Sequence, residues 1–125
     1  MVFGIGIDII EIARIRKAIL RYGDRFRNRI FTKSEIDFCE KKNSEGKIQS
    51  YAARFTAKEA FSKALGTGLR GKISWQEIEV IDDERNRPWI IVKGKAKEYL
   101  GNRNCHLSIS HTDSYACAVC IIEEI

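Results

Sequence analysis

The chain opens on a period-two pattern. From Phe3 to Ile7 the side chains alternate, with Ile5, Ile7 and Ile9 on one face and Gly4, Gly6 and Asp8 on the other, which predicts a strand. Two positions without side chains lead to a carboxylate, so another backbone or a ligand can approach Asp8 closely. The competing use of Asp8 is as N-cap of the helix that follows. That helix runs from about Ile10 to Tyr22, with Ile12, Ile15 and Ile19 turned inward. Gly23 ends it, and Asp24 caps a short turn through Arg25 to Ile30. Thr32-Lys33-Ser34-Glu35 is a capping box opening a helix that buries Ile36 and Cys39, and Asn43-Ser44-Glu45-Gly46 is a polar break.

Lys47 to Leu65 carries the strongest helical pattern, closed by Gly66-Thr67-Gly68 with Gly66 past the C-cap. Ile48, Tyr51, Ala52 and Phe55 form one stripe, which continues into Glu59, Ser62 and Lys63. Ala53, Ala57, Ala60 and Ala64 form a second, small-residue side where another element can pack closely. Beyond it come mostly strands: Ile73 to Ile81 and Trp89 to Val92 as one hairpin, then Cys105 to Ser110 and Tyr115 to Ile122 as another. Gly94 to Leu100 reads as a short helix between them. The order predicts an α+β fold, an antiparallel sheet packed on a long central helix, with residues 1–125 as a single domain.

Composition narrows the class. With 44% hydrophobic and 31% charged residues, the chain is neither disordered nor collagen-like, and its apolar runs are far below the ~20 residues of a membrane helix. No basic region precedes the first apolar stretch and no cleavage pattern follows it, so a cytoplasmic location is expected. The four cysteines are then expected as free thiols. Cys117 and Cys120 form a C-x-x-C on a strand, where positions three apart face opposite sides and cannot grip one zinc ion. The net charge of +5 favours an anionic partner, and the excess is concentrated in Arg14, Arg16, Lys17, Arg21, Arg25, Arg27 and Arg29.

The candidate chemistry lies on the long helix. Glu59 projects in line with an apolar stripe, and a carboxylate there needs a partner because burying it unpaired is costly. Arg54, Lys58 and Lys63 surround it along the helix. One carboxylate among several cations suits a polyphosphate: the carboxylate holds Mg²⁺ and the cations hold phosphate oxygens. Asp8 is the best second carboxylate. Gly66-Thr67-Gly68 lacks the Gly-Lys-Ser/Thr ending of a phosphate-binding loop, which argues against a nucleotide hydrolase. A small basic nucleic-acid-binding module is the competing class, but no helix-turn-helix, zinc or RNA-recognition signature is present, and it leaves Asp8 and Glu59 unexplained.

Gly6-Ile7-Asp8 followed by Phe55-Thr56-Ala57-Lys58-Glu59-Ala60-Phe61-Ser62-Lys63 resembles the paired signature of the 4′-phosphopantetheinyl transferases. Arg14, Arg25-Phe26, Phe31-Thr32-Lys33-Ser34-Glu35, Ala64-Leu65-Gly66-Thr67-Gly68 and Leu107-Ser108-Ile109-Ser110-His111-Thr112 extend the likeness to the small, single-module bacterial class. The resemblance implies Mg²⁺-dependent transfer of the phosphopantetheine arm from coenzyme A to a serine of apo acyl-carrier protein, releasing adenosine 3′,5′-bisphosphate, in support of fatty acid biosynthesis. It implies Asp8 and Glu59 as metal ligands, with Lys63 beside the diphosphate. Arg54, Lys58, His111 and Thr112 correspond to positions around the coenzyme A nucleotide. Ile10 stands where larger members carry a further acidic residue, so water or substrate oxygen would complete the metal's shell. A single module further implies self-association, and the small class is known for homotrimers with active sites between subunits. The missing recognition signatures and the short apolar runs lead to the expectation of no nucleic-acid or membrane partner. Arg14, Lys17 and Arg21 fall within ~60° on a helical wheel and, with Arg25 if the turn continues and with Phe26, offer a docking face for an acidic carrier protein.

Overall fold

In the computed structural model, which describes residues 1–124, the first strand is longer than its pattern predicts. β1 spans Val2–Glu11 because β5 (Tyr115–Glu123) pairs with it antiparallel along its whole length, from Val2 opposite Glu123 to Glu11 opposite Tyr115. Asp8, opposite Ala118, therefore lies inside the strand and caps no helix. α1 (Ile12–Tyr22) starts two residues later than expected, after Glu11, and buries Ile12, Ile15 and Ile19 as the stripe requires. Gly23, at φ 55°, breaks the chain direction before α2 (Asp24–Ile30), so Arg25 stands on a different helix from Arg14 and Arg21.

α3 (Lys33–Glu40) opens on the full capping box, Thr32 Oγ1 accepting from Glu35 N and Glu35 Oε1 accepting from Thr32 N. It buries Cys39 and Glu35, whereas Ile36 is only half-buried. α4 (Ser44–Leu65) begins inside the expected polar break, because the Asn43 side chain accepts from Gly46 N and caps it. Gly66 closes it in the left-handed conformation, at φ 89°. The segment from Ile73 is not yet a strand. Ser74 and Glu77 form a second capping box that tightens Trp75–Glu77 into one turn of 3₁₀-helix, and β2 (Ile78–Asp82) follows.

The strands make two antiparallel sheets rather than one: β1-β5-β4, with β4 spanning Asn104–His111, and the hairpin of β2 with β3 (Pro88–Val92). α5 (Gly94–Leu100) lies between β3 and β4 in the chain. α4 packs across the larger sheet, and its alanine side takes the glycine face of β1. A Cβ on Gly6 would stand 1.9 Å from Ala60 O and 2.6 Å from Ala64 N. One on Gly4 would stand 1.9 Å from Ala64 O. Only hydrogen at those two positions lets helix backbone and strand backbone touch. Ile5, Ile7 and Ile9 consequently face outward, each more than half exposed. Cys117 is half-buried on that outer side while Cys120 is buried toward α4, the alternation expected of a strand. All four cysteines are free thiols, and no helix among the described residues is long and apolar enough to cross a membrane.

Gly6→Ala is expected to lower the melting temperature by several degrees, since overpacking against rigid backbone costs ~1–3 kcal/mol. Thermal melting monitored by circular dichroism checks this. A melt within about a degree of wild type would contradict the backbone contact.

Candidate active site

Two clefts flank α4. In the first, β1 contributes Asp8 and α4 contributes Glu59 and Lys63, with Arg14, Phe26 and Phe55 as neighbouring walls; it holds about 400 Å³. The strand's glycine face brings Asp8 against the helix. Asp8 Oδ2 accepts a 2.6 Å hydrogen bond from Thr56 Oγ1, and Oδ1 lies 3.2 Å from Lys63 Nζ, which also donates to Ile7 O at 3.0 Å. Burial, and then the Asp8 charge, hold the Glu59 carboxyl above its ordinary value of 4.5. Two carboxylates thus share a recess whose nearest cation, Lys63, is half exposed and able to turn away.

The second cleft, about 330 Å³, lies between α4, the β2–β3 hairpin and β4, and is lined by Lys42, Arg54, Asn86 and His111, among others. Arg54 is buried at 6% exposure. Its guanidinium lies 4.2 Å above the centre of the Phe38 ring, donates from Nη1 to Ser50 Oγ at 3.1 Å and sits 3.6 Å from Asp82 Oδ2. Its Nε has no acceptor among the described residues. An unmet, buried, permanently charged donor beside a lysine and a histidine is a receptor for an anion. Arg54 and Lys63 are nine positions apart, about 900° of helix rotation, or ~180° net, so the two clefts open on opposite sides of α4.

The model of the 4′-phosphopantetheinyl transferase superfamily matches residues 4–120. This chain belongs to that superfamily. The transferase is 46% identical over 127 residues to the holo-[acyl-carrier-protein] synthase of Koribacter versatilis, covering 99% of this chain and 100% of that one. Among solved structures, it resembles a holo-(acyl-carrier-protein) synthase from Bacillus anthracis in complex with CoA (3′,5′-ADP), at 38% identity and a TM-score of 0.87, over 100% of this chain and 99% of that one. It also resembles the Helicobacter pylori holo-[acyl-carrier-protein] synthase in complex with coenzyme A, at 36% identity and a TM-score of 0.84, over 95% and 99% of the two chains. The transferase is an enzyme of the holo-[acyl-carrier-protein] synthase class, with the α+β fold of those relatives.

Most of the expected site residues of the transferase fall into the two clefts. Asp8, Glu59 and Lys63 share the first; Arg54 and His111 share the second. Thr112 is exposed in the β4–β5 turn, where its hydroxyl oxygen accepts from Ser114 N at 3.2 Å and Tyr115 N at 3.0 Å. Of the expected docking residues, Arg14 and Phe26 line the carboxylate cleft itself, while Arg21 and Arg25 are exposed away from it. Lys58 requires a correction. Its ammonium is fully buried and donates to Glu35 Oε1 at 2.6 Å, Ile30 O at 2.8 Å and Trp75 O at 3.2 Å. Three donors meet three protein acceptors, so none is left for a nucleotide. Burial lowers the Lys58 pKa, and the Glu35 carboxylate opposes that shift. Two residues escaped the sequence reading. Glu35 passed as a cap only, although it also accepts from Val80 N at 2.8 Å. Thr56 shares the helix face of Glu59 and Lys63, three and seven positions away, and that spacing was the available signal.

Proposed function

We propose that the transferase moves the 4′-phosphopantetheine group of coenzyme A to a serine of apo acyl-carrier protein and releases adenosine 3′,5′-bisphosphate. The meeting of Asp8, Glu59 and Lys63 in one cleft is the observation that carries this reading. The donor set fits Mg²⁺: two carboxylates in one cleft, with Glu59 held above its ordinary pKa by burial and by Asp8, leave room for the phosphate and water oxygens this ion normally keeps. Bound there, Mg²⁺ would neutralise charge on the pyrophosphate. Lys63, released from Asp8, would hold phosphate oxygens. The serine oxygen bonds to the β-phosphorus, the bond from that phosphorus to the bridging oxygen breaks, and the nucleotide departs with that oxygen. The serine proton leaves to Glu59 or to water. Arg54 and His111 would take an anionic part of the nucleotide, Arg54 through its unmet Nε. Fatty acid biosynthesis in the cytoplasm is the setting this activity serves.

The carboxylate cleft and the arginine cleft face opposite ways, which favours sites completed between copies. The outward face of β1, with Ile5, Ile7 and Ile9 exposed, is an apolar surface that a second copy would cover. A homotrimer of about three times 14.3 kDa is the expected species in sedimentation equilibrium. Mixing Arg54→Ala chains with Glu59→Gln chains should then restore activity that neither has alone. A fully active monomer, or no recovery on mixing, would contradict shared sites.

Arg21→Glu and Arg25→Glu should chiefly raise KM for the acidic carrier protein and flatten its salt dependence, leaving KM for coenzyme A in place, since steering charges are screened over ~10 Å at 0.1 M salt. Arg14→Glu, in the carboxylate cleft, should depress kcat as well. Steady-state kinetics at two ionic strengths checks this; an unchanged carrier KM would move the docking face elsewhere. The overall reading is tested by mass spectrometry of apo carrier protein incubated with enzyme, coenzyme A and Mg²⁺. A gain of one phosphopantetheine is expected, and an unmodified carrier would overturn it.

A further inference from the structure

Asp8 is held by two groups of very different mobility. Lys63 reaches its Oδ1 from a side chain that is half exposed. Thr56 reaches its Oδ2 from a side chain that is fully buried, on a helix backbone pinned to β1 by the glycine contact. A carboxylate accepts only, so the Thr56 hydroxyl must donate, and 2.6 Å is the length of a charge-assisted bond. Thr56 is β-branched and stiff at χ1, whereas the terminal torsion of an aspartate is broad. The hydroxyl therefore fixes a torsion that Asp8 alone would leave loose. Were Lys63 to turn to a phosphate, the Thr56 bond would remain.

We propose that Thr56 is a positioning residue for the divalent cation: its hydroxyl fixes the orientation in which the Asp8 carboxylate would meet the ion. The inference rests on the two-carboxylate reading of the site. The hydrogen bond consumes one of about four lone-pair positions on Asp8 and leaves the rest for the ion. Partners that orient a ligating side chain in this way are typically worth about 10–100-fold in metal affinity.

The test is Mn²⁺ binding, read as the loss of free-ion electron paramagnetic resonance signal, with coenzyme A present and no carrier protein, so that no turnover enters. Wild type, Thr56→Val, Thr56→Ala, Thr56→Ser and Asp8→Asn are compared, each with its melting temperature. Thr56→Val and Thr56→Ala should weaken Mn²⁺ by about 10–100-fold, and Thr56→Ser, which keeps the donor, should restore most of the affinity. If Thr56→Val does not fold, the Ala and Ser pair decides. Equal Mn²⁺ affinity in folded Thr56→Ala and wild type overturns the positioning role while leaving the metal site standing. Equal affinity in Asp8→Asn and wild type, or no binding by wild type, overturns the metal site and the positioning role together.

Discussion

Asp8→Asn and Glu59→Gln are each expected to lower turnover by about 10²–10³-fold, because each removes a carboxylate from the only recess that pairs two of them with Lys63 among the described residues. Asparagine is the informative change at position 8, since it still offers an oxygen to the buried Thr56 hydroxyl, which alanine would leave unmet. Chelation should silence the wild type and Mg²⁺ should restore it. Stability separates this loss from unfolding. The folded-state pKa of Glu59 lies above 4.5, first through burial and then through Asp8. Stability from its neutral form is therefore fully present below that pH and is lost as pH rises through the folded value. At pH 7 Glu59→Gln should melt higher than wild type in the absence of metal, while in the presence of Mg²⁺ it should turn over far more slowly. Full activity of Glu59→Gln in excess chelator would remove the site.

Lys58→Met should show the reverse pattern. It leaves the Glu35 carboxylate, 1% exposed, without its cation, and frees the carbonyls of Ile30 and Trp75. Breaking one partner of a buried pair costs ~3–5 kcal/mol, a fall in melting temperature on the order of 10–25 °C for a chain of this size. The molecules that remain folded should keep the wild-type KM for coenzyme A, because the ammonium opens into neither cleft. Lys58→Met with Glu35→Gln should recover part of the loss, as glutamine keeps an acceptor for Thr32 N or Val80 N without a charge. Calorimetry and steady-state kinetics on one preparation check both statements. A normal melt with a raised KM would return Lys58 to the nucleotide.

Much of the local structure was legible along the chain. Capping is a short-range exchange of hydrogen bonds, so Thr32 to Glu35 announces α3 before any neighbour is placed. Helical stripes are equally local, and Ile12, Ile15 and Ile19 went to the core as their spacing required. The hairpins declared themselves through alternation and polar turns. Boundaries failed where a distant partner set them. β1 continues to Glu11 because Tyr115 pairs there, more than a hundred residues away, and no local signal at Ile10 carries that information.

Periodicity tells which residues share a face and not what that face will meet. The sequence alone determined that Gly4, Gly6 and Asp8 stand together, and that small residues line one side of α4. It also placed Asp8, Glu59 and Lys63 as a matched set through their motif. Tertiary structure decided that the glycines, not the isoleucines, turn toward the helix, because helix carbonyls come to where a Cβ would stand. It decided the fates of two lysines five positions apart on α4: Lys63 at the mouth of a cleft, and Lys58 sealed beneath α3 and consumed by Glu35. It also set Arg54 on the opposite side of α4 from the carboxylates. The physical reason is common to all three. A charge is a ligand or a strut according to how many of its hydrogen bonds the fold has already filled, and only packed neighbours fill them.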